Sequence, residues 1–262
     1  MSTADNERGR HVTDSERFAQ AVSRAAARER GGIGTMGEKG IHNTLKHYFQ
    51  PDESCHEIPV GGYVADAVAE RGVIEIQTRG FSRMRKKLES FLAVTRVTIV
   101  YPCVVKKKVY RVDKTTGEVV SSYRSPKKED EYGVFWELST IRDLLLNGRL
   151  SVCVVLLEAE EFRPADMPRG RGRRLRGGAN GVERLPTGLV GEVWLECPLD
   201  YARYIPAGLP EQFDSVEFSS AAGLRVDRAR SLLSVLNAVG LVERVGKRGN
   251  AYLYRVAENY SA

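Results

Sequence analysis

The amino-acid sequence predicts an α/β protein: a mixed sheet flanked by helices, followed by a small α+β domain at the C-terminus. Residues 35–163 alternate between helical and strand patterns, as expected for helices covering a sheet. Residues 164–186 are dominated by Pro, Gly and Arg, a composition that cannot form a core and predicts a linker or loop. Residues 187–262 return to a strand, short helices and one hairpin.

The N-terminal elements are two helices. Residues 1–34 are predicted to form a polar arm with one peripheral helix, which carries Phe18, Val22 and Ala25 at helical spacing. A second helix follows, with an apolar stripe from Ile41 to Phe49, and it ends at Pro51.

Strands and one crossover helix come next. The stretches CHEIPV, YVADAVA and VIEIQT predict three strands, the last two joined as a hairpin around Glu70–Gly72. The amphipathic stretch SRMRKKLESFLAV predicts a helix, and RVTIVYPCVV predicts a buried strand. A strand, a helix and another apolar strand in this order indicate a parallel crossover.

The second half of this domain is predicted to contain a ribbon, a helix and a strand. Residues 108–123 alternate as a β-ribbon that turns at Thr115–Gly117. The stretch FWELSTIRDLLLNG predicts a helix that is ended by Gly148, and LSVCVVLLEAEEF predicts another core strand.

Composition and charge exclude several classes of protein. No apolar run approaches the length of a membrane span, and the N-terminus lacks the apolar middle of a signal peptide, so we expect a cytoplasmic protein with no membrane partner. The four cysteines form no C-x-x-C pair, which leaves a zinc ribbon unsupported. Residues 163–186 hold seven Arg against two acids, nearly the whole net charge of +6. Such concentrated charge indicates a polyanionic partner, usually nucleic acid.

The hairpin carries two carboxylates where a buried strand would prefer Val or Ile. With its turn at residues 70–72, Asp66 falls opposite residues 75–77, and Glu75 shares a strand face with Gln77. Two carboxylates this close repel each other unless a cation lies between them, and an oxygen-rich site of this kind suits Mg²⁺. Glu38 could add a further oxygen or orient a water molecule. The alternative is a surface hairpin whose carboxylates face water.

The order of these elements resembles the PD-(D/E)XK nuclease superfamily, with its restriction-endonuclease-like fold, over about residues 36–105. The resemblance implies that Asp66 and Glu75 bind Mg²⁺ or Mn²⁺ and that Glu38 matches the family's helix Glu. It also implies a homodimer, because members of the superfamily often act as dimers. Gln77 stands where the family usually has a Lys that positions the attacking water. A cation from the next helix could replace that Lys, and Lys87 is the candidate that we favour.

Residues 213–257 resemble a winged helix-turn-helix domain, in which a short helix, a second helix and a basic hairpin follow one another. The resemblance implies that the second helix enters the major groove of DNA through Arg228 and Ser231. It also implies that the hairpin rests on the backbone through Lys247 and Arg248. Arg171, Arg173 and Arg174 of the Arg/Gly-rich segment are further candidates for phosphate contacts, or parts of a solubilising tether.

Three functions follow from these features. The first is a metal-dependent nuclease that hydrolyses DNA, with Asp66 and Glu75 holding the metal. The second is a catalytically inactive nuclease-like DNA-binding protein that acts as a regulator or recruiter, and the third is a protein-interaction scaffold. Convergence of Asp66, Glu75 and Glu38 would favour the first. A salt bridge from Arg79 or Lys87 that fills the metal position would argue against it.

Overall fold

The computed structural model describes residues 15–29, 39–126, 129–166 and 183–258 and shows a mixed α/β protein. Within these ranges no helix is long and apolar enough to cross a membrane. The helices are α1 (Ser15–Glu29), α2 (Lys39–Phe49), α3 (Arg85–Val94), α4 (Val134–Ser139), α5 (Pro198–Ala202), α6 (Ser215–Ala221) and α7 (Val226–Ala238). The strands are β1 (His56–Val60), β2 (Tyr63–Ala69), β3 (Gly72–Ile76), β4 (Val97–Val112), β5 (Val119–Arg124), β6 (Leu150–Pro164), β7 (Glu183–Leu195), β8 (Val242–Arg248) and β9 (Ala251–Val256).

The strands form two sheets. Seven of them make one mixed sheet in the order β1-β2-β3-β4-β6-β7, with β5 paired to β4 outside this path, and β8 and β9 make a separate two-stranded sheet. The neighbours β1, β2 and β3 are antiparallel, whereas β3 and β4 are parallel, with Val73 opposite Val97 and Ile76 opposite Val100. The predicted parallel crossover through α3 is therefore confirmed.

The chain groups into two compact units that are built from separated stretches. The first unit comprises residues 1–53, 104–129 and 155–192, and the second comprises residues 54–103, 130–154 and 193–262. The predicted domains, 35–163, 164–186 and 187–262, are consecutive segments of the chain instead. Strands β4, β6 and β7 each contribute residues to both units, so linear segments do not describe this grouping.

In the second unit, α3 buries the stripe that the sequence predicts. Phe81, Leu88 and Phe91 are fully buried, as is Ile99 of β4. The helical stretch is shorter than predicted, because residues 81–84 form a 3-10 turn before α3 begins at Arg85. Burial of these large side chains, worth about 1.5–3 kcal/mol each, holds α3 in place.

Gly72, at the start of β3, is required by its backbone. Its φ is 113°, and a Cβ at this position would lie 2.2 Å from the carbonyl oxygen of Arg96. We expect Gly72→Ala to lower the free energy of unfolding by about 2 kcal/mol or more, through both strain and collision. Gly62 also has a positive φ of 84° but open space around it, so Gly62→Ala should cost only about 1 kcal/mol. Urea denaturation compares the two variants, and equal losses would contradict the role of the Arg96 contact.

Two further predicted elements differ from the structure. The sequence predicts a strand and a separate ribbon over residues 96–123, but β4 is one continuous strand. Its lysine run stays in the sheet because Lys106 and Lys107 pair with Glu158 and Glu161 of β6. The predicted helix over residues 135–148 ends early, at Ser139. The Ser139 and Thr140 hydroxyls donate to the carbonyls of Trp136 and Glu137, which competes with helix continuation.

In the first unit, α1 and α2 pack together. Phe18, Ala21 and Ala25 are buried on α1, so Ala21 takes the place predicted for Val22. The Phe18 ring meets the Tyr48 ring edge to face, with 5.7 Å between centroids. The Tyr48 hydroxyl donates to Glu192 Oε1 over 2.7 Å, which ties α2 to β7.

The C-terminal stretch of the second unit contains α6, α7 and the β8–β9 hairpin in the predicted order. Asp214 and Glu217 form a capping box at the start of α6, with both reciprocal bonds present. Gly223 and Gly240 follow α6 and α7 with φ of 63° and 79°, the conformation that helix ends favour. Phe213 forms an antiparallel bridge with Tyr254, which joins the segment before α6 to β9.

Candidate functional site

The β2–β3 hairpin brings Asp66 and Glu75 into direct contact. The pairing of Ala67 with Ile74 sets the register that places them opposite each other. The Asp66 backbone N–H donates to Glu75 Oε1 over 3.2 Å, and the Ile76 N–H donates to Asp66 Oδ2 over 2.8 Å. Each carboxylate thus accepts a hydrogen bond from the backbone of the other strand. The predicted proximity of the two acids is confirmed.

Lys87 of α3 forms a salt bridge with Glu75. Its ammonium nitrogen lies 2.7 Å from Oε1 and 2.8 Å from Oε2, so it contacts both carboxylate oxygens. The same nitrogen lies 5.5 Å above the Phe91 ring, one helical turn further along α3. Glu75 is only 4% exposed. The positive charge beside the two acids is therefore supplied by the protein itself, through the ammonium group of Lys87.

Burial makes Glu75 hard to ionise. Removal from water raises the pKa of its carboxyl group above the usual value, and the nearby charge of Asp66 raises this pKa further. The hydrogen bond and the positive charge from Lys87 oppose this rise. The ionised form of Glu75 consequently depends on Lys87.

Gln77, another predicted catalytic residue, makes its hydrogen bonds away from the two acids. Gln77 donates its side-chain amide to the Arg79 carbonyl over 2.8 Å, and its backbone N–H donates to Val100 O. Glu38 lies outside the described residues.

Among the described residues, the acid pair as it stands does not offer Glu75 to the Mg²⁺ or Mn²⁺ that the resemblance implies, and Glu38, the third predicted oxygen donor, lies outside those residues. In the described ranges, no group of three or more His, Cys, Asp or Glu side chains is arranged to hold a metal ion. Mg²⁺ takes oxygen ligands at about 2.1 Å. Both oxygens of Glu75 are engaged by Lys87, and Oε1 also accepts the Asp66 N–H. A metal ion could use Glu75 only after Lys87 had moved.

The α7 residues predicted to contact DNA lie against the chain segment that includes α4. Arg228 donates to both carboxylate oxygens of Asp130, over 2.8 and 2.6 Å. Ser231 is 8% exposed, and its hydroxyl donates to the Asp227 carbonyl. Both residues line a pocket with Tyr132, Gly133, Trp136 and Asp227. The prediction required Arg228 and Ser231 to be exposed to a DNA groove. Because α4 covers a second face, Ser231 is not available to a DNA groove in this structure.

The β8–β9 hairpin presents an exposed basic surface, which we call the basic ribbon and define as Arg244, Lys247, Arg248 and Tyr252. The Arg244 guanidinium lies 4.3 Å and the Lys247 ammonium 4.9 Å from the centre of the Tyr252 ring. Tyr252 is 44% exposed. Arg248 contacts Glu217 of α6 over 3.1 Å.

Sequence reasoning found Lys247 and Arg248 but missed Arg244 and Tyr252. A hairpin pattern could have pointed to these two residues, because residues that lie opposite each other on paired strands are neighbours. In this hairpin Arg244 lies opposite Tyr254 and Lys247 lies opposite Tyr252. Arg225 and Arg230, at the start of α7, are also exposed and were not chosen. Arg171, Arg173 and Arg174 lie outside the described residues.

Comparisons with known proteins give a family and no activity. A family model described as "Domain of unknown function (DUF8091)" matches residues 39–196, which is more than half of the chain. An "Uncharacterized protein" of Treponema pallidum (strain Nichols) is 29% identical over 225 residues, covering 85% of this chain and 87% of that protein. No solved structure matches.

Proposed function

Because the chain belongs to the family "Domain of unknown function (DUF8091)", whose description assigns no activity, we propose from the geometry that it binds DNA without hydrolysing it. The basic ribbon carries the binding part of this proposal. The Lys87–Glu75 salt bridge carries the part that concerns hydrolysis.

The basic ribbon has the chemistry that a nucleic acid requires. Its three cations can contact backbone phosphates, and Tyr252 offers an exposed ring on which a base or sugar can pack. Within the ribbon strands, four cationic residues stand against one acid, Glu243. This local surplus of positive charge favours a polyanionic partner.

We further propose that residues 213–257 act as a winged helix-turn-helix domain with the basic ribbon as its wing. The order α6, α7, β8, β9 and the bridge between Phe213 and Tyr254 support this proposal. Exposed Arg225, the N-cap residue of α7, and Arg230 of α7 then replace Ser231 as the residues nearest to DNA. Arg228 acts through its ion pair with Asp130 as a link between α7 and the 130–136 segment.

The acid pair supports a structural role better than a catalytic one. Glu75 is buried, its two oxygens are held by Lys87, and the Asp66 and Ile76 backbone groups complete the arrangement. A metal ion would have to displace an ammonium group that already neutralises the buried charge.

A metal-dependent nuclease is the second candidate, and two observations favour it. Asp66 and Glu75 are in contact, and the order β1-β2-β3-β4 with β3 parallel to β4 agrees with the restriction-endonuclease-like core that the sequence resembles. For this candidate, Lys87 would have to leave Glu75 when a metal ion and DNA bind.

One experiment separates the two candidates. The full-length protein is titrated into a fluorescent duplex oligonucleotide at several salt concentrations, and plasmid DNA is incubated with the same protein in Mg²⁺ or Mn²⁺. We expect binding that weakens with salt, and no cleavage. Arg244→Ala/Lys247→Ala should weaken binding about ten-fold. It should also make the negative slope of log K against log salt shallower by about 2.

The matched control is Arg71→Ala/Arg142→Ala, which removes two exposed cations from the same unit and leaves the basic ribbon intact. If this control weakens binding as much as the ribbon variant, only net charge is being measured and the ribbon has no special role. Cleavage that is lost in both Asp66→Ala and Glu75→Ala would establish the nuclease instead.

A further inference from the structure

Glu161 of β6 is a fully buried carboxylate that three cations surround. It is 0% exposed. Its Oε2 accepts from the Lys107 ammonium and from Arg184 Nε, each over 2.8 Å, and its Oε1 accepts from Arg163 Nε. These residues come from β4, β6 and β7 and lie within the first unit. We call Lys107, Arg163 and Arg184 the cationic cluster.

The cationic cluster carries more positive charge than Glu161 needs. One carboxylate faces three cations, so two positive charges remain uncompensated within the cluster. Among the described residues, the neighbouring acids Glu158 and Asp166 pair with Lys106 and Lys114 rather than with the cluster. A single cation would suffice if the cluster served only to neutralise a buried charge.

The side chains of both arginines are partly open to solvent. The Arg163 side chain is 34% exposed and that of Arg184 is 40% exposed, whereas Lys107 is 10% exposed. Each arginine donates a hydrogen bond from its Nε to Glu161. In the described part of the chain, no hydrogen bond engages the terminal amino groups of Arg163 or Arg184. Terminal amino groups held in a fixed plane match the oxygens of a phosphate.

We propose that the cationic cluster is a second contact site for the nucleic-acid backbone, in which Arg163 and Arg184 bind a phosphate and Glu161 is the positioning residue that holds them. This inference rests on the proposed function for the identity of the ligand. The cluster and the basic ribbon belong to different units, so the two sites can be removed independently. Arg163 and Arg184 are also the first and last arginines of the arginine-rich stretch 163–186.

The deciding experiment compares Glu161→Gln with Glu158→Gln. Both variants remove one negative charge from β6, so simple attraction to a polyanion predicts equal or tighter binding for both. If Glu161 positions the cluster, Glu161→Gln weakens binding of the fluorescent duplex about five-fold although the net charge has risen. Glu158 holds only exposed Lys106, so Glu158→Gln should bind as the wild type does or slightly more tightly.

A surface variant covers the case in which Glu161→Gln does not fold. Arg163→Gln/Arg184→Gln leaves Lys107 on Glu161, and we expect it to fold and to bind the duplex about ten-fold more weakly. Thermal unfolding of each variant confirms that folded protein is compared.

The outcomes distinguish this inference from the proposed function. Unchanged binding by the double variant, or binding by folded Glu161→Gln at least as tight as by the wild type, would overturn the inference alone. Loss in the double variant that equals or exceeds the loss in the ribbon variant would support it. If the wild-type protein does not bind the duplex at all, both proposals fail.

Discussion

Replacing Lys87 with Met should lower the free energy of unfolding by on the order of 3 kcal/mol at pH 8, and by much less at pH 5. The substitution leaves the Glu75 carboxylate buried, beside Asp66, without the ammonium that contacts both of its oxygens. Folding then has to place an unpaired charge in a site that is 4% exposed. A charge in this position is among the most costly defects of a protein interior.

The dependence on pH follows from the direction of the Glu75 shift. Burial and Asp66 raise the pKa of Glu75 in the folded protein above its value in the unfolded chain. A raised pKa means that the folded state prefers the protonated acid, so stability falls as the pH rises through this pKa and recovers when the pH is lowered. Without Lys87 the pKa of Glu75 rises further, which moves the recovery to higher pH.

Urea denaturation at pH 8 and pH 5 measures this difference. Lys86→Met is the matched control, because Lys86 is exposed on the same helix and should cost little at either pH. Glu75→Gln/Lys87→Met should recover much of the loss at pH 8, since it removes the unpaired charge. A loss that is the same at both pH values would show that Lys87 stabilises by packing on Phe91 rather than by pairing with Glu75.

Low pH should destabilise the protein through Glu161, so the pH dependence that Glu161 contributes has the opposite sign to that of Glu75. Burial alone would raise the pKa of Glu161, but the hydrogen bond from Lys107 and the charges of Arg184, Lys107 and Arg163 lower it from 4.5 to about 2. A lowered pKa stabilises the fold above the unfolded value, and this contribution is lost as the pH falls from about 4.5 to about 2. The shift corresponds to on the order of 3 kcal/mol of stability that is present at neutral pH.

Glu161→Gln should therefore unfold more easily at pH 7 and show a flatter decline in stability between pH 5 and pH 2. Chemical denaturation across this range checks the slope. Glu158→Gln provides the comparison, because the exposed Lys106–Glu158 pair contributes at most about 1 kcal/mol and little pH dependence. A decline that stays as steep in Glu161→Gln as in the wild type would assign the acid sensitivity to other carboxylates.

The two buried glutamates differ because of what faces them. Glu75 has one cation and one neighbouring carboxylate, whereas Glu161 has three cations. Desolvation acts on both in the same direction, so the number of partner charges decides the direction of each pKa shift. The first arrangement balances a buried charge, and the second leaves a surplus of positive charge.

Local patterns in the sequence were sufficient to predict most elements of the fold. The alternation of apolar residues predicted β1 to β4, and the helix between two apolar strands predicted the parallel pairing of β3 with β4. Local signals also stand at the ends of the C-terminal helices, because the Asp214–Glu217 box begins α6 and a glycine follows each of α6 and α7. The hairpin register predicted that Asp66 and Glu75 meet. These features depend on residues close in sequence, where backbone geometry sets which side chains share a face.

The tertiary structure alone decided how charged side chains pair across elements. Lys87 was expected to replace the Lys that the resembled family uses in catalysis, but the packing of α3 places its ammonium on Glu75. Ser231 was expected to be open to DNA, but α4 covers that face of α7. Glu161 drew no attention in the sequence, because its partners Lys107 and Arg184 are 54 and 23 residues away. Periodicity shows that a side chain is turned inward or outward, whereas its charge partner depends on which strands and helices become neighbours.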